Sequence, residues 1–118
     1  MSQIFISSSG TEIGKTFVTS ILIRQLKAAG HSVNARKPVA TGFDPLNSAT
    51  SDSGEILTAL GRDVSTKHVE EITPWRFAAA LSPDMAAARE QRSVTFSELT
   101  DFCAEKRASE ITLIEGIG

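Results

Sequence analysis

The sequence is short of most features that would announce a specialised class of protein. Its single cysteine, Cys103, rules out an internal disulfide. Basic residues are not in excess: 12 Lys plus Arg stand against 14 Asp plus Glu, a formal net charge of −2. That argues against the basic stripe on which nucleic-acid binding usually rests. No apolar run approaches the ~20 residues that cross a bilayer as a helix. The opening MSQIFISSS has no basic segment leading into a long apolar core, so it does not read as a secretory signal. His31 and His68 lie far apart with no metal-ligand spacing, and surface or capping roles suit them better. What remains is 41% apolar and 22% charged residues over 118 positions, the composition of one soluble domain, expected in the cytoplasm.

Periodicity predicts alternating strands and helices. Ile4-Phe5-Ile6 inside residues 3–7 reads as a buried parallel strand. Residues 14–29 carry Phe17, Val18, Ile21, Leu22, Leu26 and Ala29 at helical spacing, with Gly30 as the C-terminal cap. A second strand is expected over residues 32–39, running into Pro38. Residues 41–54 read as a long loop, of a size that often carries function. A short helix over residues 55–60 closes at Gly61. Thr73-Pro74 argues against helix in the segment 71–77, which is otherwise hard to assign. Ser82 and Pro83 can start a helix running to Glu90, with Asp84 as a first-turn acid. Thr95 and Glu98 have capping-box spacing before a helix to about Ala108, whose inner side would hold Phe96, Leu99, Phe102 and Cys103. Residues 111–114 form the third strand.

That alternation points to an α/β fold with a parallel sheet, whose ligands gather at the carboxyl ends of the strands. The end of the chain falls just after a strand, in a glycine-rich segment. A doubly wound domain would continue with another helix, so a truncated chain is expected.

Gly14-Lys15-Thr16 completes the second half of a phosphate loop, G-x-x-x-x-G-K-[ST]. Ser9 stands where the first glycine belongs, and Gly10 comes one place late. Such a loop works by turning backbone N–H groups toward an anion at a helix N-terminus, and glycine is needed only where the backbone must reach positive φ or approach closely. Lys15 would reach the β- and γ-phosphates, and Thr16 would offer its hydroxyl to Mg²⁺. One or two carboxylates should complete that ion's shell. Asp52 and Glu115 are the candidates. On composition alone, Asp52 reads better as a solvated turn residue or a helix cap, and Glu115 stays open between the two roles. Cys103 and Trp75 read as packing residues.

Four blocks recur in order: Thr11-Glu12-Ile13-Gly14-Lys15-Thr16, Lys37-Pro38-Val39-Ala40-Thr41-Gly42, Ser51-Asp52 and Glu115-Gly116-Ile117-Gly118. Together they resemble the dethiobiotin synthetase family, ATP-dependent ligases of biotin biosynthesis with a P-loop NTPase-like fold. Pro74-Trp75-Arg76-Phe77-Ala78 and Ser82-Pro83 add two weaker matches. Departures fall at Ser8, Gly10, Ala80 and Asp84, where the family usually has Gly, Asp, Pro and His; its chain is also roughly twice as long.

The resemblance implies that 7,8-diaminononanoate, CO2 (as bicarbonate) and Mg·ATP become dethiobiotin, ADP and phosphate, in a homodimer. It implies that Glu12, Ile13, Gly14, Lys15, Thr16 and Phe17 wrap the phosphates. Glu115, Gly116, Ile117 and Gly118 would line the nucleotide. Thr16, Asp52 and Glu115 would surround Mg²⁺, Lys37 would hold the carbamate and the transferring phosphoryl group, and Thr41 would bond the substrate. Without the resemblance, Lys37 would pass for a surface lysine. A corrinoid-amidating sibling and a non-catalytic ATP-binding relic are the competing readings. A partition-type ATPase is disfavoured, because Gly10-Thr11-Glu12 occupies the place of its signature lysine.

Overall fold

The computed structural model describes residues 2–6, 14–104 and 109–116. Among the described residues five strands and five helices follow in the order β1 (Ser2–Ile6), α1 (Lys15–Ala28), β2 (Val33–Arg36), β3 (Val39–Thr41), α2 (Asp52–Leu60), α3 (Thr66–Ile72), β4 (Trp75–Phe77), α4 (Pro83–Arg89), α5 (Phe96–Ala104) and β5 (Ile111–Glu115). A 3-10 helix, Pro45–Thr50, precedes α2.

The three strands expected from the sequence form one parallel sheet, with the last in the middle: β1-β5-β2. Ile6 pairs with Glu115 and Arg36 with Ile114, so all three strands end at one edge. The α/β expectation holds. The single strand expected over residues 32–39 does not: it divides at Lys37-Pro38. β3 leaves the main sheet and pairs in parallel with β4. Proline has no N–H to donate to a ladder and holds its predecessor in an extended conformation, which is why the chain changes sheets there.

Alternation along the strands gives the main sheet two different faces. Ala35 and Leu113 face a core completed by Ile23 of α1, Ile56 and Leu57 of α2, and Val69 and Ile72 of α3. Full burial of each large aliphatic side chain there contributes about 1.5–3 kcal/mol. Arg36, one residue on, serves α5: its Nη1 donates to the carbonyls of Phe102 and Cys103, and its guanidinium lies 5.3 Å from the Phe102 ring centroid. Trp75 meets Phe102 edge-on at 5.9 Å, the packing role expected of it. A smaller core joins Val39 and Phe77 to Ala86 and Ala87 of α4.

Local signals were read well at the helix ends. At the end of α1, Gly30 has φ +95 and its N–H reaches Lys27 O, while the His31 N–H reaches Leu26 O. That pair of bonds is a Schellman closure. Gly61 closes α2 in the same way, through Thr58 O and Leu57 O. Thr95 and Glu98 exchange their capping bonds, Thr95 N–H to Glu98 Oε1 and Glu98 N–H to Thr95 Oγ1, both 3.1 Å.

The structure corrects other expectations. Strand β1 lies at a sheet edge rather than being buried, and Phe5 is 68% exposed. Phe17, Val18 and Ile21 are on the outside of α1, while Lys15, Thr16, Thr19, Ser20 and Ile23 are buried. Small side chains on that inner face let α1 come close to the core. The Thr19 hydroxyl can be buried because it donates to Lys15 O at 3.0 Å. Phe96 is exposed, leaving Leu99 and Phe102 as the packed residues of α5. The expected extension of α5 over residues 105–108 lies outside the described residues, as does the side chain of Asp84. His31 pairs with Glu110 and His68 bonds Asp63 O, both surface roles.

Candidate functional site

Lys15 opens α1 directly after Gly14, whose φ of +92 belongs to the left-handed region. Among the described residues a Cβ at Gly14 would meet nothing within 4 Å, so what they show to require glycine is the backbone angle. The turn drives the Lys15 side chain inward: it is only 5% exposed, and Nζ has no hydrogen-bond partner among the described residues. A buried, unpaired ammonium is unfavourable unless an anion joins it.

Thr16 follows on the same inner face. Its Oγ1 donates to Glu115 Oε1 at 2.9 Å, joining the start of α1 to the end of β5. Lys37, 4% exposed in the gap between the two sheets, places Nζ 3.8 Å from Glu115 Oε2 and 3.8 Å from Asp52 Oδ2. Burial pushes the Glu115 carboxyl above its ordinary pKa, with the charge of Lys37 and the bond from Thr16 opposing that rise. Among the described residues Glu115 Oε2 accepts no hydrogen bond.

Asp52 is the first residue of α2, capped by Ser51, whose Oγ accepts from the Gly54 N–H at 3.1 Å. The loop expected over residues 41–54 therefore ends at a helix start three residues sooner than assigned. Ser51 and the first-turn acids Asp52 and Glu55 were the available signal. Beside Lys37 opens a cavity of about 230 Å³ lined by Thr41 and Gly42 at the end of β3 and by Thr50, Ser51 and Asp52.

Lys15, Thr16, Lys37, Asp52 and Glu115 are thus brought to one corner at the carboxyl edge of the sheet, with Thr41 across the cavity. Gly116 adjoins it, its N–H donating to Ile6 O at 3.1 Å. Phe17 does not join them: it is 66% exposed and lines a separate groove between α1 and α2. Glu12, Ile13, Ile117 and Gly118 lie outside the described residues.

The donors suit a Mg²⁺ ion that shares phosphate oxygens. Two carboxylates and a hydroxyl, all hard oxygen ligands, converge here, and one carboxylate oxygen lacks a hydrogen bond from the described residues. Among the described residues no group of three acidic, His or Cys side chains forms a cage able to hold a metal by itself.

A family described as an AAA domain matches residues 2–118. The chain belongs to the AAA domain family. Relatives that match this AAA domain over its whole length include ATP-dependent dethiobiotin synthetases. Those of Methylobacterium nodulans, Acidiphilium cryptum and Phenylobacterium zucineum are 45%, 46% and 40% identical to it. The matches cover 100% of this chain and 56%, 54% and 52% of theirs. The chain therefore spans about half the length of the curated relatives it matches. Among the described residues no helix is long and apolar enough to cross a membrane.

Proposed function

We propose that this AAA domain binds Mg·ATP and activates a carbamate by phosphorylation, as part of a dethiobiotin synthetase working as a cytoplasmic homodimer. The observation that carries the reading is the paired arrangement of the two buried lysines. Lys37 lies between two carboxylates, and Lys15, nearby, has no hydrogen-bond partner among the described residues.

Phosphoryl transfer depends mainly on positioning and charge neutralisation. Lys15 neutralises the β- and γ-phosphates of ATP. The backbone at Gly14 and the loop before it wrap them. Glu115, Gly116 and the residues that follow border the nucleotide. Thr16, Asp52 and Glu115 hold Mg²⁺, which when bound screens the charge of the phosphate oxygens. Lys37 holds the carbamate formed when one amine of 7,8-diaminononanoate takes up CO2, with Thr41 orienting the other end of the diamine unit. The carbamate oxygen attacks the γ-phosphorus and ADP leaves. The second amine then attacks the carbamoyl carbon of the mixed anhydride, forming the ureido C–N bond and expelling phosphate.

The test is phosphate release with Mg·ATP and bicarbonate, with and without the diamine. Release that requires the diamine is expected. A folded, ATP-binding protein that releases phosphate equally without it, or not at all with it, would overturn the reading.

A further inference from the structure

The 3.8 Å separations around Lys37 are longer than a hydrogen bond, so no direct bond sets the spacing of these charges. Their spacing comes from the backbones that carry them. Both backbones are tied to one short stretch, residues 72–75, between α3 and β4. Ile72 O accepts from the Lys37 N–H at 2.9 Å, and the Trp75 N–H donates to Pro38 O at 3.2 Å. The Lys37-Pro38 joint is therefore clasped on both sides.

Between those two attachments sits Thr73, fully buried, with its Oγ1 2.6 Å from Ser53 Oγ. Ser53, itself 2% exposed, directly follows Asp52. The strap is anchored in turn: the Thr73 N–H caps α3 on Val69 O at 2.8 Å, and Arg76 Nη1 holds Thr73 O at 2.6 Å. Among the described residues, this hydroxyl pair links the strap to the start of α2.

We propose that Thr73 and Ser53 are positioning residues: their buried hydroxyl pair sets the distance between the Lys37 ammonium and the Asp52 carboxylate, and with it the alignment for phosphoryl transfer. The assignment rests on the functional reading above. Ser53 borders the cavity, but its hydroxyl is engaged with Thr73, and each of the two residues acts through its neighbour in the chain.

Removing one hydroxyl leaves the other buried and unpaired, which destabilises. Removing both leaves no orphan and can be nearly neutral for stability. The double variant Ser53→Ala/Thr73→Val therefore separates positioning from stability. Expected for it are a melting temperature near that of the unmodified protein and a kcat for diamine-dependent phosphate release lowered about tenfold or more. KM for ATP should change less than about twofold, because Lys15 and the phosphate loop are untouched. The NMR signal of the Lys37 Cε methylene, assigned with Lys37→Arg, should move in the nucleotide-free protein. Thr73→Ser keeps the hydroxyl and should restore both kcat and the signal.

An unmoved Lys37 signal in the folded double variant overturns the proposal, as does an unchanged kcat. A Thr73→Ser variant as defective as Thr73→Val overturns it too, by assigning the effect to the buried methyl group. If Thr73→Val fails to fold, Ser53→Ala breaks the same bond from the other side and is judged by the same signal. Should the protein show no diamine-dependent turnover, the functional reading falls, and the Lys37 signal alone still decides the positioning role.

Discussion

The Thr16 hydroxyl donates a 2.9 Å hydrogen bond to Glu115 across 99 residues of sequence. It closes a corner in which Glu115 is 1% exposed and one of its carboxylate oxygens accepts no hydrogen bond from the described residues. Three consequences of this corner and its walls can be measured.

Ionising Glu115 works against folding. Its pKa in the folded protein is raised above the ordinary 4.5 by burial, so the folded state binds its proton more tightly than the unfolded chain does. Its contribution to stability is fully present below the unfolded pKa and is lost as pH rises through the folded value. Glu115→Gln should therefore melt higher than the unmodified protein at neutral pH in chelator, and the gap should close as the solution is acidified below about pH 4.5. A gap that persists or widens in acid would contradict the assignment of burial as the cause.

Burial of Lys15 should cost the nucleotide-free protein stability, because its ammonium makes no hydrogen bond among the described residues. Lys15→Met keeps most of the side-chain volume and removes a buried ammonium that lacks a hydrogen-bond partner among the described residues. It should raise stability without nucleotide by about 1–3 kcal/mol, the cost of an unsatisfied buried donor. The rise in melting temperature that Mg·ATP confers should shrink sharply at the same time. Equal protection of both proteins by Mg·ATP would remove Lys15 from the phosphate site.

Two glycines should respond differently to alanine. At Gly14 the obstacle that the described residues show is the positive φ, and Gly14→Ala should cost about 1–2 kcal/mol. At Gly54 an added Cβ would lie 2.1 Å from Ser48 O and 2.9 Å from Ala49 O, both backbone atoms. Gly54→Ala must displace the 3-10 helix against the start of α2, and should cost about 2 kcal/mol or more. Denaturant titration of the two variants should give the larger loss at Gly54, and the reverse order would count against this packing.

What the sequence disclosed and what it hid follow from the range of the interactions involved. Gly30, Gly61 and the Thr95–Glu98 box act within a few residues, and each was legible. So was the turn into α1 at Gly14-Lys15-Thr16, and so was the delivery of Glu115 to the edge of β5. The outward Phe17, Val18 and Ile21 were misjudged because periodicity marks an apolar stripe but not its partner; here the polar Lys15, Thr16 and Thr19 take the inside. The approach of Asp52 to Lys37 could not be read from spacing, since it depends on a strap that lies 20 residues further along the chain from Ser53. Thr73 carries no motif at all. The division of residues 32–39 had a visible cause in Pro38, but proline alone does not say which strand the chain will join next.

Arg36 and Lys37 are adjacent cations that serve different layers of the molecule. One grips the carbonyls at the end of α5, and the other lies between Asp52 and Glu115. Successive residues of an extended chain point to opposite sides, so a one-residue slip of β2 against β5 would exchange them. A guanidinium would then face the acidic corner and an ammonium the helix end, with the sheet still hydrogen-bonded. The pairing of Arg36 with Ile114 thus does more than align two strands: it selects which positive charge faces Asp52 and Glu115, so a misregistered sheet would lose this charge pairing before it lost its shape.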